Sequence, residues 1–137
     1  MTLQVIENWV RKLPQVQLNL PILSYQGKFY TPLEILDEVR KNTPLGHALQ
    51  KKVETGDPPS ENELYKQRLI QAIQMYIQKH PSAANKPLVA GIVDKQPVAL
   101  TPLQLINEIQ NETKVGKTLI EAEKKQVQRI LSLARSG

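Results

Sequence analysis

The sequence predicts a mainly α-helical fold with short β-hairpins, built as two tandem helix–hairpin–helix–helix repeats packed as one pseudo-twofold body. Three observations carry that expectation. First, "YTPLEILDEVRKNTPLG" at residues 30–46 returns, at a fixed offset of 70, as "LTPLQLINEIQNETKVG". Second, further landmarks recur upstream in the same order: "WVRKLP" (9–14) resembles "YIQKHP" (76–81), and "NLPIL" (19–23) resembles "NKPLV" (85–89). Third, a Gly/Pro/Ser-rich break, "TGDPPSENE" (55–63), separates the two runs. Self-similarity of this kind marks a duplicated supersecondary unit. Repeat one spans about 2–56 and repeat two about 61–135, within a single compact domain over 1–137.

Each repeat opens with an amphipathic segment and continues through an extended piece into a hairpin. In the first copy, "ILSYQGKFYT" alternates around Gln26–Gly27, a two-residue turn. In the second, "AGIVDKQPVALT" turns around Asp94–Gln96, and Pro97 demotes one arm to an edge or a loop.

A capped helix follows each hairpin. Thr31 is an N-cap, Pro32 suits the first helical position and Glu34 the third, a T-x-x-E capping box. Thr101 and Gln104 form the T-x-x-Q version. Tyr30 with Ile35, and Leu100 with Leu105, occupy the positions of a hydrophobic staple. An apolar stripe is expected along Leu33, Leu36 and Val39, and along Leu103, Ile106 and Ile109.

A second helix starts at Thr43–Pro44 and again at Thr113, where Lys114 replaces the proline. Gly46 and Gly116 fall in the first turn of each, where glycine weakens a helix. The expected reason is close approach of another backbone. An anion site at the exposed N–H groups, beside His47 or Lys117, is the alternative.

Ser60 and Glu63 supply another S-x-x-E start for a helix over about 61–79. Its wide apolar face (Leu64, Tyr65, Leu69, Ile70, Ile73, Tyr76, Ile77) predicts burial between the halves. The last helix, about 115–135, carries Leu119, Ala122, Val127, Ile130, Leu131 and Ala134.

Composition bounds the function. Of 137 residues, 40% are apolar and 23% charged, ordinary globular values. No cysteine is present, which removes disulfides, thiolate metal sites and cysteine nucleophiles. "MTLQVIENWVRKLPQ" interrupts its apolar residues with Glu7, Arg11 and Lys12, unlike a signal peptide. The longest apolar stretch, near "LVAGIV" (88–93), is far short of a membrane span. A cytoplasmic protein without membrane contact is expected.

Catalytic and cofactor patterns are missing. "KVGKTL" (114–119) contains GKT, but a P-loop needs glycine at position 111, which is Asn111. His47 and His80 are far apart, so no metal and no cofactor is expected. The pair Asp37–Glu38 becomes Asn107–Glu108 in the second copy, which argues against two equivalent acid–base sites. A non-enzymatic binding module is therefore expected, with another protein as partner through Tyr25 and Phe29. The net charge of +5 and a pI near 9.5 support nucleic-acid binding as the alternative. Arg40, Lys41, Lys114 and Lys117, at the equivalent inter-helix corners, are its candidate phosphate contacts.

Overall fold

Two threonines decide where the hairpins stop and the helices begin. Thr31 Oγ1 accepts the Glu34 N–H at 3.1 Å, and the Glu34 carboxylate accepts the Thr31 N–H at 2.9 Å. Thr101 and Gln104 repeat the exchange at 3.1 and 2.8 Å. Both boxes satisfy N–H groups that a helix start otherwise leaves without partners. A computed structural model describes residues 3–93 and 96–135, with 88–93 and 96–98 described by their backbone.

The described chain is mainly helical, and its element order runs through the same series twice. The first series is α1 (Leu3–Lys12), a 3-10 turn (Gln15–Asn19), β1 (Leu23–Tyr25), β2 (Lys28–Tyr30), α2 (Pro32–Arg40) and α3 (Pro44–Thr55). The second is α4 (Asn62–Lys79), a 3-10 turn (Pro81–Ala83), β3 (Leu88–Val93), β4 (Gln96–Leu100), α5 (Pro102–Gln110) and α6 (Lys114–Ser132). Each hairpin is a separate two-stranded antiparallel sheet.

The first hairpin turns where the sequence places it. Gln26 and Gly27 have φ of 51° and 78°, the paired positive values whose twist matches a hairpin. Of the two expectations for the Pro97 arm, an edge strand or a loop, the structure has the edge strand. Pro97 lies inside β4, opposite Ile92, and does not break the strand. A two-stranded ladder leaves an outer edge on both strands, so proline's missing N–H removes no ladder bond there. The register shifts between Val89 and Gly91. The expected turn at Asp94–Gln96 has its first two residues outside the described set.

Contacts divide the chain into two compact units. Unit 1 is Met1–Leu64 with Lys124–Gly137; unit 2 is Tyr65–Glu123. The units change over within α4 and within α6.

In unit 1 the core is aliphatic around Trp9, with Ile6, Ile22, Leu23, Ile35, Leu49, Val53 and Leu131 among its buried residues. Trp9 Nε1 donates to the Ile130 carbonyl at 2.8 Å, and Lys12 Nζ donates to the Leu133 carbonyl at 3.3 Å. These bonds serve carbonyls at the C-terminal end of α6, where a helix runs out of internal donors and favours a cation. α3 ends at Gly56, whose φ of 74° is the left-handed geometry of a helix C-terminus.

Of the expected apolar stripe, Leu36, Val39 and Ile109 are buried and Ile106 is half-buried, but at the helix starts burial falls one position earlier than expected. Pro32, Ile35, Leu36 and Val39 are buried in α2, and Pro102, Leu105 and Ile109 in α5. At about 100° per residue, Leu33 turns onto the flank shared by Asp37 and Arg40. Leu33 is 39% exposed and Leu103 51%.

Among the described side chains of unit 2, charged groups are buried beside apolar ones. Tyr65, Ile109 and Ile120 are buried, but so are Lys66 and Arg68. The expected wide buried face on α4 holds only at its start. Leu64 and Tyr65 are buried; Leu69, Ile70, Ile73 and Ile77 are half-buried, and Tyr76 is exposed. α4 also begins at Asn62, so Ser60 stands one residue before the cap position. Its hydroxyl turns to the Glu61 carboxylate at 3.4 Å. In α6, Ala122 is exposed, while Val115 and Ile120 are buried with Val127, Ile130 and Leu131, as is Ala134 just beyond the helix.

Candidate functional site

The inter-helix corners follow from one glycine each. Thr43 Oγ1 accepts the Gly46 N–H at 3.0 Å, and Thr113 Oγ1 accepts the Gly116 N–H at 3.2 Å. A Cβ on Gly46 would meet the Glu38 carbonyl carbon at 2.8 Å and the Val39 Cα at 3.1 Å. One on Gly116 would meet the Glu108 carbonyl carbon at 2.8 Å and the Ile109 Cα at 3.1 Å. Each glycine therefore sits against the end of the preceding helix. A carbonyl oxygen faces the corner, a poor setting for an anion. The residue that turns each corner is left-handed: Asn42 at φ 55° and Glu112 at φ 48°.

Lys114 and Thr118 belong to the first turns of α6, where the Thr118 hydroxyl donates to the Lys114 carbonyl at 2.9 Å. This "GKT" segment follows a helix, not a strand.

The cations named from sequence differ in their surroundings. Arg40 reaches the Glu7 carboxylate at 3.3 Å. Lys41 reaches Asp37 at 3.1 Å and Glu38 at 3.5 Å. Its ammonium is held above its ordinary pKa, first by the Asp37 hydrogen bond and then by both carboxylate charges. Arg40 and Lys41 are thus partly neutralised. Lys114 and Lys117 are exposed in the first turn of α6, in the other unit.

Tyr25 and Phe29 do not share a face. The register pairs Leu23 with Tyr30, Ser24 with Phe29, and Tyr25 with Lys28. Directly paired residues point to the same side, and successive ones alternate. Leu23, Tyr25, Lys28 and Tyr30 therefore occupy one face, Ser24 and Phe29 the other. Tyr25 and Phe29 are both half-buried. The Lys52 ammonium lies 5.9 Å from the Tyr25 ring centroid, and that of Lys28 lies 5.2 Å from the Tyr30 ring.

Unit 1 carries open grooves along α3. One of about 430 Å³ is lined by His47, Gln50, Lys51, Glu54 and Thr55. Another of about 380 Å³ shares His47 and Gln50 and adds Leu3, Val39 and Arg40. A third, about 270 Å³, lies beside Ser24, Lys52, Asp57 and Glu61. In it the Ser24 hydroxyl donates to the Glu61 carboxylate, a bond that ties the hairpin to the segment before α4. That bond is the main cause holding the Glu61 carboxyl below its ordinary value; burial is the next influence and acts the other way. A carboxylate so held is a poor proton acceptor near neutral pH.

The sign of the pH effect follows. A depressed folded pKa contributes stability above the unfolded value and loses it as pH falls through the folded one. Ser24→Ala is expected to lower the urea midpoint at neutral pH, with the gap to the parent closing as the pH falls below the ordinary carboxylate range. Because Glu61 is exposed, the gap is small. A gap that is unchanged at low pH would show that the hydroxyl acts by packing alone.

Sequence reasoning passed over two further features. Arg68 is 0% exposed, and its Nε donates to Glu123 Oε1 at 2.9 Å. Lys66 Nζ pairs with Glu112 at 2.7 Å and donates to the Gln110 carbonyl at 3.2 Å. Arg68 stands three residues after Tyr65 and four after Leu64, on the face that those apolar residues bury. That spacing was the available signal. The second feature is the stretch from Lys124 to Arg135, which carries four cations and no acid.

Among the described residues no helix is long and apolar enough to cross a membrane, and no group of three His, Asp or Glu side chains converges. Comparison with protein-family models, with characterised proteins and with solved structures finds no match.

Proposed function

We propose that this chain is a non-enzymatic protein-binding module, built by duplication of one helix–hairpin–helix–helix unit. The duplication is supported by features that return at the same offset: the two capping boxes, the left-handed Asn42 and Glu112, and the close-packed Gly46 and Gly116. The binding role rests on one observation. Leu33 and Leu103 occupy the same position beside the two capping boxes, and both face solvent. Neither is spent on the core of its helix, whose buried face is complete without it. A single exposed leucine is ordinary, but the same exposure in both copies supports a contact role.

The test is a cross-linked pull-down from the native cell with the parent and with Leu33→Glu/Leu103→Glu. A stoichiometric partner is expected with the parent and not with the variant. Stability of the variant should stay within about 0.5 kcal/mol, as for surface substitutions away from packed sites. A parent that stays a partnerless monomer by light scattering, or a partner retained by the variant, would overturn the proposal.

A further inference from the structure

Within unit 1 the run from Lys124 to Arg135 carries four cations and no acid, apart from the corner at Arg40 and Lys41 that the sequence singles out. From Lys124 onward α6 presents Lys125 and Arg129 on its exposed side, one turn apart. The end of α1 joins them. Trp9 and Lys12 bond to carbonyls at Ile130 and Leu133, which brings Arg11 and Lys12 to the C-terminal end of α6. All of these residues belong to one compact unit.

The setting of these cations differs from that of Arg40 and Lys41. Arg129 donates to the amide oxygen of Gln126, and Arg11 to that of Asn8 at 3.5 Å. Both lean on neutral amides, whereas Arg40 and Lys41 lean on carboxylates. Exposed amides neighbour them along the two helices: Asn8 lies on α1 beside Arg11, and Gln128 on α6 beside Arg129. Cations interleaved with short neutral donors are the means by which proteins hold phosphate oxygens.

From this we infer that the α1–α6 end of unit 1 binds the phosphate backbone of a nucleic-acid duplex without reading sequence. A membrane surface fits less well, because the apolar face of α6 (Val127, Ile130, Leu131) is buried in the core and cannot enter lipid. A single strand fits less well, because Trp9, the aromatic of α1, is fully buried and gives bases no platform to stack on.

The experiment uses the full chain and a labelled DNA duplex of about 20 base pairs, followed by anisotropy between about 50 and 200 mM salt. Binding is expected with Kd on the order of 1–100 µM. With phosphate contacts from Arg11, Lys125 and Arg129, log K should fall against log salt with a slope of about −3. Lys125→Gln/Arg129→Gln should weaken binding at least tenfold at low salt and flatten the slope by about 2. Lys41→Gln/Lys117→Gln should leave both unchanged. Vesicles of phosphatidylserine and phosphatidylcholine are the competing probe. The inference is overturned if the parent does not bind at about 100 µM, if the Lys41/Lys117 variant loses as much as the Lys125/Arg129 variant, or if vesicles bind more tightly than the duplex through the same residues.

Discussion

Glu123→Ala is expected to destabilise the protein by about 3 kcal/mol, the lower end of the range for breaking a buried ion pair. The cause is what the substitution leaves behind. Arg68 is wholly buried, and burial is the dominant influence on its guanidinium, pulling the pKa down. The charge and hydrogen bond of Glu123 are the main opposing influences. Without that carboxylate, a cation that cannot readily shed its proton remains in a dry site. Glu123 itself is 17% exposed in its side chain, so the converse variant leaves a carboxylate that water can reach. Arg68→Met should therefore cost less than Glu123→Ala, on the order of 1–2 kcal/mol. The double variant Arg68→Met/Glu123→Leu should return to within about 1–2 kcal/mol of the parent, because neither charge is stranded. Urea unfolding of the four proteins measures all three differences. Equal costs for the two single variants would show that the pair acts through packing and not through charge.

Gly116→Ala is expected to cost about 3 kcal/mol, and Gly46→Ala a similar amount, at the upper end for overpacking a tight contact. Helix propensity alone says the opposite, since alanine in the first turns of α3 and α6 should gain about 1 kcal/mol over glycine. Sterics decide the sign. The atoms that a new Cβ would meet are the backbone of Glu38–Val39 and of Glu108–Ile109, which cannot swing aside as a side-chain tip can. Either the helix corner opens, with loss of the neighbouring threonine cap bond, or the preceding helix shifts. Gly27→Ala is the comparison. A Cβ there meets nothing within 4 Å, so its cost is that of the left-handed backbone alone, about 1–2 kcal/mol. Thermal or urea midpoints of the three variants give the ranking. A rise in stability for Gly116→Ala would mean that propensity, not the close approach, governs the corner.

The candidate contact surfaces were only partly legible in sequence. Tyr25 and Phe29 look like neighbours on a short hairpin, but the face on which each lies depends on strand register. The Leu23–Tyr30 pairing puts them on opposite sides. Arg40 and Lys41 look like available cations at a helix corner. Their carboxylate partners include Glu7 from α1, a contact that only packing of α1 beside α2 creates. Lys125 and Arg129 were visible as letters, and the acid-free run around them was countable. Their importance came from Lys12 and Trp9 reaching the end of the same helix across more than a hundred residues of chain.

By itself the sequence determined the local starts and stops. The Thr-Pro boxes, the Gln26–Gly27 turn and the Gly56 helix end are set within a few residues, because each depends on backbone groups adjacent in the chain. Tertiary structure decided which side of each helix meets the core, which is why Leu33 and Leu103 face solvent. It decided that β4 continues through Pro97, because a two-stranded ladder leaves the position unpaired. It also buried Arg68, against a carboxylate brought from α6, fifty-five residues away, whose charge offsets part of the cost of that burial. Local rules choose a conformation for each segment; desolvation and excluded volume, which need distant partners, choose its environment.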